Sequence, residues 1–288
     1  MASRTRIAAA IAAAAVLFVG AMPALAQQPK DWQLGFQPAG TPAMESITSF
    51  HNFLLVIITL VTLFVLALLV IVMVRFNSKA RSEPTKTSHN TLLEVAWTVI
   101  PVIILVVIAI PSFRLLYFEL EVPEPDVTIK ATGYQWYWGY EYPDHGDLSF
   151  DALMLTDDEL QPGQPRLLAT DNNVVVPVDK IVKVLVTADP LGVIHSWTIP
   201  AFGSKVDAVP GRMNETWFKA TKTGIYYGQC SELCGKDHAF MPISVKVVTQ
   251  EEYDAWIAEQ TAELKPREET TKIAQITEAA GTKVAQGE

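Results

Sequence analysis

Two cysteines occur in the 288-residue chain, four positions apart at Cys230 and Cys234. Glu232 lies midway between them, His238 follows the second by four residues, and Met241 follows that histidine by three. A further histidine, His195, arrives from a distance in Val193-Ile194-His195-Ser196-Trp197. Thiolate, imidazole and thioether form a soft ligand set, the kind that selects copper over hard cations. A one-copper electron-transfer site takes two imidazoles, one thiolate and a weak axial thioether, and would leave part of this set unused. Two coppers sharing both sulfurs would use all of it. Each metal then takes one imidazole and one weak group, Met241 on one side and a backbone carbonyl near Glu232 on the other. Two other chemistries stay open. Two Cys and two His suit a structural zinc, though Cys-x3-Cys departs from finger spacing and leaves Met241 idle. A Cys230–Cys234 disulfide is available in an oxidising compartment.

The rest of the chain must hold this cluster somewhere. Half of the residues are hydrophobic and mean hydropathy is +0.22, which points to a membrane anchor joined to a globular domain. The net charge of -9 argues against a nucleic acid partner, which would demand a basic face. Arg4 and Arg6, the apolar stretch 7–19 and Ala24-Leu25-Ala26 read as a secretion signal over 1–26, cleaved before Gln27. A polar segment follows over 27–48. A first crossing is expected over 49–75, where the 22-residue run Phe53–Val74 would span about 33 Å as a helix. The loop 76–91 follows Arg75 and carries Lys79, Arg81 and Lys86, so it belongs on the cytoplasmic side. A second crossing over 92–117 contains Pro101 and Pro111, which should kink or end it. Both flanks then lie outside, in the periplasm if the membrane is a bacterial inner membrane. Glu94 sits at the cytoplasmic start of the second crossing, either as an interfacial residue facing water or as part of a proton route.

Beyond Pro123 the texture changes. Segments 127–130, 174–178, 181–187, 193–199, 215–220, 224–227 and 243–248 are short, rich in β-branched and aromatic residues, and punctuated by Gly, Pro and Asp. That pattern predicts an all-β sandwich or small barrel over 122–250. A short amphipathic helix and a mobile polar tail are expected over 251–288.

The motifs then resemble subunit II of cytochrome c oxidase in its bacterial form. Tyr226-Tyr227-Gly228-Gln229-Cys230-Ser231-Glu232-Leu233-Cys234-Gly235 with His238 and Met241 is similar to that family's dinuclear copper motif. Gly133-Tyr134-Gln135-Trp136-Tyr137-Trp138 resembles its aromatic stretch, and Leu93-Glu94-Val95-Ala96-Trp97-Thr98-Val99-Ile100-Pro101 the start of its second helix. His195-Ser196-Trp197 and Asp207-Ala208-Val209-Pro210-Gly211-Arg212 also fit, in the right order.

The resemblance implies a cupredoxin-like Greek-key β-barrel on a two-helix transmembrane hairpin. It implies a CuA centre held by His195, Cys230, the carbonyl of Glu232, Cys234, His238 and Met241. It further implies a magnesium ion on the Glu232 carboxylate at the contact with subunit I, electron arrival at Trp136 from cytochrome c, and a proton-channel mouth at Glu94. Implied partners are cytochrome c, the haem-bearing subunit I, subunit III and membrane lipid. Seven carboxylates and no Lys or Arg lie between Ala131 and Pro165, which suggests an acidic docking face near Trp136 for a basic partner. Glu141, Asp144, Asp147 and Asp189 are its expected contacts, although Gly146 and Gly192 stand where some relatives carry acids. An oxidoreductase subunit passing electrons onward for oxygen reduction and proton translocation is the function implied. A membrane-anchored copper-delivery protein is the alternative, against which the two crossings and β-rich pattern speak. A quinol oxidase subunit would have emptied the ligand positions.

Overall fold

The computed structural model describes residues 28–80, 83, 86–146 and 148–262. The expected signal over 1–26, the tail from 263 and Asp147 lie outside the described residues.

Two long helices come first, α1 (Pro42–Arg75) and α2 (Thr91–Leu120). Thr41 and Asn90 cap them, accepting hydrogen bonds from the Met44 and Leu93 amides. Their side chains are apolar on all sides, and of both helices only Met44 is buried. A helix that is hydrophobic all round and uncovered by protein suits a bilayer. Both exceed the roughly 20 residues a crossing needs, at 34 and 30 residues. Pro101 and Pro111 lie inside α2, which runs unbroken through both. In membrane helices the freed backbone groups find local partners, so neither proline terminates it.

Ten strands follow among the described residues: β1 (Val127–Tyr134), β2 (Tyr137–Tyr142), β3 (Leu148–Ala152), β4 (Val174–Pro177), β5 (Ile181–Ala188), β6 (His195–Ile199), β7 (Ser204–Ala208), β8 (Asn214–Lys219), β9 (Gly224–Gln229) and β10 (Pro242–Val248). They form a five-stranded sheet in the order β3-β2-β1-β5-β8, a three-stranded sheet β4-β10-β9 and the β6-β7 hairpin. β1 and β5 run parallel, as do β4 and β10; the other pairs are antiparallel. The period-two alternation is plain in β5, where Val182, Val184, Val186 and Ala188 are buried and the residues between them are not. Trp138, Tyr140, Trp197, Phe202, Phe218 and Ile243 fill the space between the sheets. A third helix, α3 (250–262), lays Tyr253, Trp256 and Ile257 on this core.

β2, β3 and β7 were not expected as strands. β7 is short and turns Lys205 and Asp207 to solvent, so its apolar signal is thin. β2 carries alternating aromatics, Tyr140 and Tyr142 among them, but merges in sequence with the aromatic motif before it.

The start of α1 grips the β-domain through hydrogen bonds. Gly40 donates to the Ala201 carbonyl at 2.8 Å, its own carbonyl accepts from Thr221 N at 3.0 Å, and Thr41 Oγ1 donates to Phe202 O at 2.7 Å. Met44 packs under Gly203, which sits at φ +74°, a conformation that favours glycine. On α2, Phe118 meets Trp217 of β8 edge-on at 5.4 Å. The polar segment before the first crossing therefore has a job: residues 40–44 are the collar of the domain. Thr41→Ala removes both a helix cap and a buried interdomain hydrogen bond. It should destabilise this junction by about 1–2 kcal/mol, read as at least severalfold faster amide exchange at Met44 and Thr221 in the detergent-solubilised chain. Unchanged exchange would show the junction is held by packing alone.

Candidate metal centre

Two segments converge on the cluster, the β9–β10 loop and the start of β6. Cys230 and Cys234 lie between β9 and β10, whose pairing of Gln229 with Pro242 closes the loop at its base. Cys230 N donates to the Met241 carbonyl at 3.3 Å, placing the loop's two ends side by side. A short turn of 3-10 helix (His238–Phe240) swings His238 back over the cysteines. His195 opens β6, and Ser231 N donates to the Ser196 carbonyl at 3.1 Å, docking the cysteine loop onto the histidine strand. Two glycines permit the approach. A Cβ on Gly228 would overlap the Thr198 carbonyl oxygen, and a Cβ on Gly133 would stand 2.8 Å from His195 Cδ2.

The donor atoms are paired about an axis. The two Sγ atoms are 3.8 Å apart, and both thiols are free. Cys230 Sγ has His195 Nδ1 at 3.9 Å and the Glu232 carbonyl oxygen at 3.4 Å. Cys234 Sγ has His238 Nδ1 at 3.5 Å and Met241 Sδ at 3.6 Å. Each thiol thus has one imidazole and one weak donor of its own. The donor atoms of His195, Cys230 and Cys234 lie within 4.8 Å of one another. Two soft metals bridged by both sulfurs fit this arrangement, whereas a single zinc would leave the Glu232 carbonyl and Met241 without a role. His195, Cys230, Cys234 and Met241 are buried, His195 completely. The His195 Nε2 has no hydrogen-bond partner among the described residues; the ring is held instead by Gly133 and the edge of Trp138. Glu232 turns its carbonyl inward, while the residue itself is exposed.

Burial, and then the neighbouring Cys230, push the Cys234 thiol up to about 12. Burial, and then the neighbouring His238, hold His195 below its ordinary value. Before metal arrives, Cys234 is therefore a thiol and His195 a neutral imidazole at neutral pH, and metal binding must expel the thiol proton.

Trp136 sits at the tip of the β1–β2 hairpin, after a cis Gln135–Trp136 peptide. Its Nε1 donates to the Cys234 carbonyl at 3.0 Å. The indole lies against Gly235, at φ +125°, where a Cβ would come within 2.8 Å of Cζ2. Lys236 Nζ stands 5.4 Å from the indole centroid on the outer side.

Of the expected acidic contacts, Glu141 and Asp144 lie away from Trp136. Glu141 lies toward the far end of β2 and is paired with Lys130 at 2.7 Å. Asp144 follows the end of β2 and accepts from Thr128 N at 2.7 Å. Five residues of strand, about 17 Å, separate Tyr137 from Tyr142, so adjacency in sequence does not become adjacency in space. Asp189 is nearer: its amide donates to the Gly133 carbonyl at 3.0 Å. Asp151, opposite Gly139, is nearer too, and both acids help to raise the Tyr137 hydroxyl, after burial as the larger cause. Asp151 is one of the seven carboxylates read from the sequence, and the β2–β3 register is what brings it opposite Gly139. Glu94 lies in the first turn of α2, roughly 40 Å along the helix from its other end and remote from the metal cluster.

A two-helix membrane anchor bearing a β-sandwich with paired thiol–imidazole donors defines a membrane-anchored protein whose donor set suits a soft metal. Residues 127–248 match the family described as cytochrome c oxidase subunit II, periplasmic domain, and residues 29–115 its transmembrane domain. The chain is 54% identical over 233 residues to a probable cytochrome c oxidase subunit 2 of Rickettsia bellii, covering 81% of this chain and 86% of the relative. It is 48% identical over 248 residues to cytochrome c oxidase subunit 2 of Cereibacter sphaeroides, covering 80% of this chain and 81% of the relative. Among solved structures, the periplasmic domain of subunit II of cytochrome oxidase from Bradyrhizobium japonicum is 57% identical, with TM-score 0.46, covering 50% of this chain and 99% of that one. The chain belongs to the cytochrome c oxidase subunit II family. It is a membrane-anchored component of a respiratory oxidoreductase, and its Cys/His cluster is consistent with a copper centre.

The raised Cys234 value has a consequence for the metal-free chain. A thiol that holds its proton more tightly when folded contributes stability fully below its ordinary value near 9, and loses it as pH rises toward about 12. The metal-free domain should therefore melt at a lower temperature as pH is raised through this window, and Cys234→Ala should show a shallower decline. Parallel declines in the two proteins would refute the assignment.

Proposed function

We propose that this chain is the electron-accepting subunit of its oxidase. It receives electrons from cytochrome c at a dinuclear copper centre and passes them to haem in subunit I, where oxygen is reduced to water with proton translocation. The observation that carries this reading is the paired donor set, one imidazole and one weak donor beside each of two adjacent thiols. Two copper ions held by Cys230, Cys234, His195 and His238, with Met241 and the Glu232 carbonyl as weak donors, would supply a one-electron acceptor. The protein's part is to desolvate the thiols, fix both imidazoles by their Nδ1 atoms, and keep the weak donors at arm's length. Small geometry changes on gaining an electron follow from that rigidity.

Trp136 is the proposed electron port. Its indole covers the Cys234–Gly235 backbone and hydrogen-bonds to Cys234 O, so one hydrogen bond and a few covalent bonds join a half-exposed ring to a buried thiol. Asp189 and Asp151 sit close enough to this tip to attract a basic cytochrome, with Asp147 a further candidate; Glu141 and Asp144 take a peripheral part. The exposed Glu232 carboxylate is the proposed magnesium ligand at the subunit I contact. Glu94 is the proposed proton-channel mouth, on the cytoplasmic side if the β-domain and N-terminus lie in the periplasm. Subunit III is a further proposed neighbour.

Reconstitution of the purified chain with copper tests the centre directly. The expected result is two coppers per chain and a mixed-valence signal delocalised over both. One copper per chain, or a localised signal, would sink the dinuclear reading. Rapid kinetics on the assembled oxidase test the flanking roles. Trp136→Phe should slow reduction by cytochrome c at least tenfold with the copper spectrum intact. Glu94→Ala should leave that reduction unchanged and slow turnover, and Glu232→Gln should lower magnesium content alone. A variant that behaves as the unaltered enzyme loses its proposed role.

A further inference from the structure

The anchor carries a cleft that the electron path does not use. At the end of the hairpin nearest the β-domain, α1 and α2 part to leave a groove of about 670 Å³. Glu45 of α1 and Arg114 of α2 both line it, and both are exposed. Neither makes an ion pair with the other or with any described residue. Ser49 lines the same groove, with no hydrogen bond from its hydroxyl among the described residues. Phe53, Pro111 and Phe118 form its apolar walls.

The groove is polarised along the helix axis. Glu45 lies in the first turn of α1, and Phe53 is eight residues farther along, about 12 Å deeper toward the bilayer centre. On α2, Pro111 is about one turn deeper than Arg114, and Phe118 about one turn nearer the β-domain. On the side of the two charges toward the bilayer centre the groove is walled by Phe53 on one helix and Pro111 on the other, the order found in a phospholipid lying along a membrane protein. The two charges are of opposite sign. Unpaired charges at the rim of a bilayer are costly, and a ligand carrying both counter-charges relieves both.

We infer that this cleft binds one phospholipid with a zwitterionic headgroup. The phosphate lies on Arg114, with the Ser49 hydroxyl as a second donor. The ammonium lies on Glu45, and an acyl chain runs inward over Phe53 and Pro111. Arginine suits a phosphate because its planar fork donates two parallel hydrogen bonds. Glu45 disfavours a headgroup of net negative charge in the same place, so the groove discriminates between headgroups and does not merely attract phosphate.

Native mass spectrometry of the delipidated full chain in detergent tests this, with phosphatidylethanolamine and phosphatidylglycerol of matched acyl chains as the probes. One phosphatidylethanolamine per chain should be retained, severalfold better than phosphatidylglycerol. Arg114→Gln should weaken retention of both about tenfold, the loss expected for a charge-assisted hydrogen bond. Arg114→Lys should retain more lipid than Arg114→Gln, which separates lost charge from lost fold. Glu45→Gln should abolish the preference while leaving phosphatidylglycerol no worse bound. Equal retention of the two lipids by the unaltered chain, or retention indifferent to Arg114→Gln, overturns the site. In the assembled oxidase, a benzophenone attached at Ser49→Cys should crosslink to phospholipid; a crosslink to another subunit instead would show that protein fills the groove and would overturn it as well.

Discussion

The cysteine loop and the histidine strand belong to different sheets, and they meet because Gly228 of β9 lies directly on the Thr198 carbonyl of β6. No side chain fits in that gap. Everything at the metal cluster follows from the contact. It sets Ser231 N against Ser196 O, brings Cys230 Sγ to 3.9 Å from His195 Nδ1, and presses His195 back against Gly133 of β1. Three strands from three sheets are thereby locked around one buried imidazole. The domain's aromatic core is the scaffold for this convergence: Trp138 and Trp197 are fully buried beside the site, and Trp138 touches His195 with its edge.

Such packing has an electrostatic price, and the site is arranged around it. Taking the Cys234 thiol and the His195 imidazole out of water favours their neutral forms. The raised Cys234 and lowered His195 express that preference. A cation bound to Cys234 would have to displace its proton. Burial that opposes thiolate in the empty site strengthens its attraction for a metal in the filled one, since the same low dielectric governs both.

Much of this was legible in the residues. The ligand types are rare in the chain and crowd into one loop, so their chemistry could be read before any fold was known. The helices announced themselves by length and uniform hydrophobicity. What could not be read was convergence. His195 joins the cluster through glycine contacts that leave no local signature, and residues 40–44 look like ordinary loop until their partners at 201–203 and 221 are known. The expected acidic contacts divide in the same way. Glu141 and Asp144 are near Trp136 in sequence but lie down the hairpin from it, while Asp189 is distant in sequence and sits beside the hairpin tip. Strand register, invisible in composition, decides which acids lie near the indole.

The collar at residues 40–44 grips the turn at 200–203, and that turn directly follows β6, whose first residue is His195. Five residues of extended chain, about 17 Å, therefore connect the membrane anchor to the buried His195 imidazole without an intervening loop. β6 acts as a spacer between collar and cluster: its length limits how far the imidazole can lie from the end of the first helix.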